Sequence, residues 1–163
     1  MPEMTGNQAT VDQRGAIVSA LRGVLMASRS FRSLVSQLQD SVGGYTTSIV
    51  YETSGATLTR VQPKSQGATI FFNPSDQGKI WTGGSGGRHV RGSTTPVTAM
   101  AHEFGHAYDG RIGGFLYHHP GSRKDEKLLE MRGVWYENVF RREAGMLSRD
   151  CYYLCGNSYP YRK

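Results

Sequence analysis

Hydrophobic residues recur at intervals of three and four in several stretches of the chain, and this spacing predicts amphipathic helices. One stretch begins at Val11, and a shorter one begins at Ser30 and ends near Gly43-Gly44. The positions predicted to face the core are Ile17, Val18, Leu21, Val24 and Leu25, then Phe31, Leu34, Val35 and Leu38. A longer helix is predicted from about residue 125 to 145, with its inward positions at Leu128, Leu129, Trp135, Val139 and Phe140.

The sequence between residues 46 and 72 changes to short runs of β-branched and aromatic residues, which are typical of strands. The runs are 46–52, 57–61 and 68–72. They predict a small antiparallel sheet whose last strand borders a cleft, where an extended peptide could add as a further strand.

Residues 75–94 are predicted to form a loop. Within it, Gly83-Gly84-Ser85-Gly86-Gly87 is expected to be a mobile flap or linker, because glycine loses the most backbone entropy on ordering. His89 in the same loop is expected to be solvated and not to bind a metal.

The length of 163 residues is that of one domain. We predict an α+β domain over residues 10–163, preceded by a disordered leader over residues 1–9. The chain has no apolar run long enough to span a membrane, and its polar start lacks the layout of a signal peptide.

The chain is basic, with a net charge of +6 and a pI near 9.5, which favours partners with acidic surfaces. Nucleic acid is not the expected partner, because the arginines are scattered and no basic, aromatic-interleaved motif is present. The only two cysteines, Cys151 and Cys155, predict free thiols in a reducing compartment and not a disulfide framework.

The sequence His102-Glu103-Phe104-Gly105-His106 carries the clearest chemical signal. Residues four apart lie on one face of a helix, so the two imidazoles could bind one Zn²⁺ while Glu103 takes a proton from water. The predicted helix is capped by Thr95, begins at Pro96 and ends before Gly110. Its apolar positions are Val97, Ala99, Met100, Ala101, Phe104 and Ala107. Because histidines and a carboxylate are costly in an apolar helix without a partner, the motif predicts a zinc hydrolase.

A catalytic zinc normally has three protein ligands and keeps one position for water. Asp109 and Ile112 exclude the arrangement H-E-x-x-H-x-x-G-x-x-H, which would need Gly and His at those positions. The remaining candidates for the third ligand are His118, His119, Asp125, Glu126, Glu130 and Glu137. Glu130 and Glu137 have similar claims, since each is a carboxylate on a helix that could pack against the motif helix. Asp109 or Glu137 could also hold a histidine ring through its second nitrogen.

Several later segments resemble the NleD-type effector zinc metallopeptidases, over somewhat more than the C-terminal half of the chain. The matching series is His102-Glu-Phe-Gly-His106, Glu130-Met-Arg-Gly-Val, Glu137-Asn138-Val-Phe-Arg141-Arg142-Glu143 and Arg149-Asp-Cys-Tyr152. A more distant similarity is to the clostridial neurotoxin light chains, in which a glutamate of the helix after the motif is the third ligand. In those proteins an Arg-x-x-Tyr pair stabilises the transition state.

The resemblance implies a zincin-like fold, in which a small antiparallel sheet packs on the motif helix and the following helix carries the third ligand. It implies that His102, His106 and Glu130 bind Zn²⁺. It also implies that Glu103 is the general base, with Arg149 and Tyr152 as oxyanion donors. Because Leu129 precedes Glu130 where those families often have a second glutamate, Glu137 stays the alternative ligand or a carboxylate behind a ligand.

The activity implied is that of a gluzincin-type zinc endopeptidase. By the same resemblance we expect a monomeric bacterial effector or toxin, secreted by a signal-peptide-independent route, that cleaves a protein in the target-cell cytosol. Three alternatives remain: a zinc-stabilised binding module without turnover, a zinc hydrolase of a non-protein amide, and a basic nucleic-acid binder.

Overall fold

A computed structural model describes residues 10–39, 44–62, 67–76, 78–83, 89–112 and 123–151 of the chain. Within these ranges the protein is an α+β structure of four helices and two three-stranded sheets. The helices are α1 (Val11–Ala27), α2 (Arg29–Gln39), α3 (Pro96–Arg111) and α4 (Arg123–Glu143). The strands are β1 (Thr46–Tyr51), β2 (Leu58–Val61), β3 (Gly67–Phe72), β4 (Lys79–Gly83), β5 (His89–Ser93) and β6 (Arg149–Cys151). The predicted leader over residues 1–9 lies outside the described ranges.

The two N-terminal helices confirm most of their predicted pattern. Helix α1 begins at a capping box in which the side chains of Thr10 and Gln13 each bond the other's backbone N–H. All four predicted core positions of α2 are buried. The buried face of α1 is narrower than predicted, because Val18 is 52% exposed and the buried positions are Ile17, Ala20 and Val24.

Helix α3 is capped by Thr95 and starts at Pro96, as predicted, and twelve of its sixteen residues are buried. Its predicted end before Gly110 is wrong, since the helix continues to Arg111. Gly110 serves close packing there, because a β-carbon at this position would lie 2.7 Å from the Val61 side chain. The phenol of Tyr45 also donates to the carbonyl of Ala107 at 2.8 Å, which holds this end of α3 to the first sheet.

Helix α4 was predicted in the right place, but its buried face differs from the predicted one. Of the five predicted inward residues only Phe140 is fully buried, while Leu128 and Trp135 are exposed. The buried positions of α4 include the charged residues Glu137 and Arg141. Hydrophobic spacing misses such a face, because it counts charged side chains as solvated.

The sheet that packs on α3 has the strand order β1-β3-β2, and it is mixed. The prediction of an antiparallel sheet is therefore wrong: β1 pairs with β3 in parallel, and only β2 is antiparallel to β3. Strand β3 is also central rather than at an edge, so the predicted place for an added peptide strand is occupied. Its apolar side chains explain this position, since Ile70 and Phe72 are 0% exposed and a central strand is the best shielded.

A second, antiparallel sheet has the order β5-β4-β6, and two of its strands, β4 and β5, lie in a region predicted to be a loop. The loop prediction for residues 75–94 is therefore wrong for β4 and β5, and of the predicted flap only Gly83 lies in the described part. Strand β6 joins this sheet through β4, so residue 149 is held in a strand that follows α4. No helix in the described ranges is long and apolar enough to cross a membrane.

Candidate metal centre

The two histidines of the motif helix and one carboxylate of α4 converge on a single point. The Nε2 atoms of His102 and His106 are 3.0 Å apart. Glu130 Oε2 lies 3.3 Å from Nε2 of His102 and 3.9 Å from Nε2 of His106. The two imidazoles are buried, while the Glu130 side chain is 31% exposed. These three residues form a group that could hold a metal ion.

The convergence follows from how α3 and α4 pack. The histidines lie one turn apart on the face of α3 that meets α4, so both rings point to the same side. Glu130 and Glu137 lie seven residues apart on α4, which places them on the same face but about two turns apart. In this packing, Glu130 lies beside Nε2 of both rings, and Glu137 lies beside Nδ1 of His102. Residue chemistry alone left these two glutamates as equal candidates and the family resemblance favoured Glu130; the geometry places Glu130 with the two histidines.

The spacing of the three donor atoms suits a small tetrahedral cation. Two ligands bound to zinc at 2.0–2.1 Å with tetrahedral angles are about 3.3 Å apart. The three distances between donor atoms here are 3.0, 3.3 and 3.9 Å, which bracket that value. Two imidazoles and one carboxylate are also a common ligand set of catalytic zinc, which leaves a fourth position for water.

The charges around the site favour a cation. Burial lowers the pKa of His102, but hydrogen bonds with Glu130 and Glu137 and the charges of nearby carboxylates raise that pKa to about 10. In the metal-free site, the neighbouring carboxylates therefore favour the protonated form of His102. A bound cation would replace that proton, so binding would release it to solvent.

Glu103 is next to this group but is not part of it. Its side chain is buried. Burial raises the pKa of Glu103, and this effect outweighs the charges of His102 and His106, which lower that pKa. Thr59 of β2 donates its hydroxyl to the Glu103 carbonyl at 3.1 Å, which fixes this turn of α3 against the sheet. A carboxylate with a raised pKa beside two imidazoles is suited to accept a proton and to return it.

Glu137 is fully buried and holds the His102 ring from behind. Its Oε2 lies 3.2 Å from His102 Nδ1 and accepts a bond from Arg149 Nη1 at 2.7 Å. Its Oε1 accepts from Arg141 Nε at 2.7 Å. Burial raises the pKa of Glu137, but the contact with His102 and the charges of both arginines lower it to about 2. The ionised Glu137 therefore fixes the orientation of one candidate ligand.

Arg149 was predicted to face the oxyanion, and the structure places its guanidinium on Glu137. Paired bonds with Asn138 hold its backbone, since Arg149 N donates to Asn138 Oδ1 at 2.6 Å and Asn138 Nδ2 donates to Arg149 O at 2.8 Å. Tyr152, the other predicted donor, lies outside the described residues, and so does Cys155.

Sequence reasoning gave Arg141 no role, although it is 4% exposed and bonded to Glu137. Its position four residues after Glu137 on a helix is a signal that could have identified the pair. Among the other ligand candidates, His118 and His119 lie outside the described residues. Asp125 and Glu126 lie in the first turn of α4, and His89 lies in β5 and not in the predicted loop.

Asp109 was an alternative holder of a histidine ring, and the structure gives it different partners. It is 1% exposed and accepts from Tyr136 Oη at 2.7 Å and from Arg132 Nη2 at 2.6 Å. Arg132 Nε contacts its other oxygen. These bonds join the end of α3 to α4, one turn beyond the second histidine.

Comparison with known proteins adds no assignment: no family model matches the sequence, and no curated protein or solved structure matches the chain.

Proposed function

We propose that this chain is a zinc-dependent endopeptidase of the gluzincin type with a zincin-like arrangement of its motif helix and the following helix. The observation that carries the proposal is the convergence of His102, His106 and Glu130 beside the buried carboxylate of Glu103. A structural zinc site is normally closed by four protein ligands. The described residues offer three, together with a general base that a structural site would not need.

Zinc bound by this triad would polarise the scissile carbonyl and make an attacking water more acidic. Glu103 then accepts the proton of that water and delivers it to the leaving amine, as its raised pKa allows. Glu137 keeps His102 in the orientation that presents Nε2, and Arg141 and Arg149 keep Glu137 ionised. In this proposal Arg149 acts by holding Glu137, and oxyanion donation by Arg149 and Tyr152 stays a prediction of the family resemblance.

The substrate in this proposal is a protein with an acidic surface, because the chain carries a net charge of +6. Delivery into a target cell by a signal-peptide-independent route, and action there as an effector or toxin, rest on the resemblance to NleD-type metallopeptidases alone. The same zinc chemistry would hydrolyse an amide outside a protein, so the substrate class needs its own test.

The Glu103→Gln variant tests the proposal. It should keep zinc and fold but lose activity by roughly 100-fold or more, because the other two carboxylates described at the site, Glu130 and Glu137, are engaged with His102. Wild type and variant are incubated with a target-cell lysate, and new protein termini are mapped by mass spectrometry. Glu52→Gln is a matched control, since Glu52 accepts only local bonds from Thr53 and Ser54 among its described contacts.

Termini that appear with wild type and Glu52→Gln but not with Glu103→Gln support the proposal. Equal cleavage by Glu103→Gln would rule out its role as the base. A wild type that binds zinc stoichiometrically and generates no termini would favour a binding module or a hydrolase of another amide. The His102→Ala variant should lose zinc, and full zinc content in that variant would contradict ligation by His102.

A further inference from the structure

Gly133 lies where the backbone of α4 comes closest to the imidazole pair. A β-carbon built on this residue would lie 2.5 Å from Nε2 of His102 and 2.6 Å from Nε2 of His106. Both distances are far below van der Waals contact, and the two atoms are the ones that would bind the metal. Moving one ring would relieve one clash and leave the other.

The His102 ring is not free to move away from such a side chain. Its Nδ1 contacts Glu137, which is itself fixed by Arg141 and Arg149. Both histidines are 6% exposed, so a displaced ring would have to enter packed protein. The space beside Gly133 therefore exists only because this residue has no side chain.

The backbone conformation gives no other reason for a glycine at this position. Gly133 lies inside α4 and is not among the described glycines with a positive φ, which are Gly44, Gly55, Gly67 and Gly145. Glycine is unfavourable in a helix interior compared with alanine. Gly105 of α3 differs, because a β-carbon there would meet the Tyr136 side chain and so disturb only helix packing. Among the glycines whose surroundings the structure describes, only Gly133 has histidine nitrogens as its nearest neighbours.

We infer that Gly133 is a determinant of metal binding: its missing side chain leaves the space in which His102, His106 and Glu130 can surround a cation. Gly133 is the third residue after Glu130, so the same face of α4 supplies one ligand and, one turn later, the space for the ion. This inference rests on the proposed zinc site and adds to it a residue that supplies no donor atom.

The test measures zinc affinity of Gly133→Ala by competition with a chromophoric chelator. We expect zinc affinity to fall on the order of 100-fold, because both rings must shift. This is the upper end of the loss usually caused by mutating residues that contact metal ligands. Gly15→Ala is the control, since nothing lies within 4 Å of a β-carbon at Gly15 and its zinc affinity should equal that of wild type. Cobalt substituted for zinc should give a tetrahedral absorption spectrum in wild type and Gly15→Ala but not in Gly133→Ala.

A second measurement separates this role from ordinary helix packing and also applies if Gly133→Ala alone folds poorly. The effect of Gly133→Ala on the thermal unfolding midpoint is measured without metal in two backgrounds. One is the wild-type protein, and the other is the double variant His102→Ala, His106→Ala. We expect the substitution to lower the midpoint in wild type and to raise it where the imidazoles are gone, because only helix propensity then remains.

Wild-type zinc affinity in Gly133→Ala, or an equal loss of midpoint in both backgrounds, would overturn the inference and leave the proposed function standing. A wild type that binds neither zinc nor cobalt would overturn both.

Discussion

Two buried carboxylates join α3 to α4, and they differ in the exposure of their arginine partners and in the other group that each one contacts. Glu137 and Asp109 are 0% and 1% exposed, and each is bonded to arginine. The guanidiniums that face Glu137 are themselves buried, whereas the side chain of Arg132 on Asp109 is 53% exposed. Glu137 also contacts an imidazole of the candidate metal centre, while Asp109 bonds the phenol of Tyr136.

Burial and an arginine partner alone therefore do not distinguish a carboxylate that contacts a candidate metal ligand from one that does not. Both residues pair with arginine and tie the same two helices together. Only Glu137 transmits its position to a candidate metal ligand, through the Nδ1 atom of His102. We therefore expect changes at Glu137 to affect stability and metal affinity together, and changes at Asp109 to affect stability alone.

Glu137→Gln should have the largest effect. It leaves two buried guanidiniums facing a neutral amide, and breaking a buried ion pair on one side costs about 3–5 kcal/mol. One nitrogen, Arg141 Nη2, already has no hydrogen-bond partner, so the described surroundings offer that arginine little compensation. Zinc affinity should fall roughly 10- to 100-fold, because the orientation of His102 is lost. Urea unfolding of the zinc-free protein and chelator competition measure the two effects. Unchanged zinc affinity would contradict the role that we assign to Glu137.

Asp109→Asn should have a smaller effect, and only on stability. The amide oxygen can still accept from Tyr136, and the half-exposed Arg132 can turn to water, so we expect a loss of about 1–3 kcal/mol. Zinc affinity should stay within a few-fold of wild type. The same two measurements apply, with Glu137→Gln as the isosteric counterpart. If Asp109→Asn weakened zinc binding as much as Glu137→Gln, the distinction between the two carboxylates would fail.

The sequence predicted the centre of the site better than its surroundings. The pair His102 and His106 with Glu103 depends on spacing within one helix, which α3 reproduces along with its cap at Thr95. The choice between Glu130 and Glu137 depends on the angle and register of α4 against α3, and local sequence carries no measure of either. Both glutamates have partners on α3 or α4, as expected for carboxylates that are at least partly buried. Residue chemistry did not choose between them, and only the family resemblance favoured Glu130 as the ligand, with Glu137 as the alternative or as a carboxylate behind a ligand.

The sheets show the same limit. The three strand runs between residues 46 and 72 were found because β-branched residues mark strands locally. The prediction that they form an antiparallel sheet was wrong, because β3 lies between β1 and β2 and its pairing with β1, which is distant in sequence, is parallel. Strands β4 and β5 were missed, since glycines in and around them resemble a loop, and β6 is only three residues long. Arg149 reaches Glu137 from that short strand, a contact that neither residue's neighbours in sequence predict.

Acid protonates Glu137 without changing the shape of its side chain. Lowering the pH is therefore a milder test of this carboxylate than mutation. The pKa of Glu137 is lowered from 4.5 to about 2, so the unfolded chain binds the proton more readily than the folded one. The stability that this carboxylate contributes is therefore complete above about pH 4.5 and is lost as the pH falls through about 2. We expect the free energy of unfolding of the zinc-free protein to fall over this window, and to fall less steeply in Glu137→Gln.

Hydrogen bonds from Ser28 and Ser30 also lower the pKa of the exposed Glu143 to about 2, so Glu143→Gln is the control for an acid-sensitive carboxylate away from the site. Parallel acid profiles of wild type and Glu137→Gln would show that Glu137 is not held ionised by Arg141 and Arg149, and the proposed orientation of His102 would then lack its support.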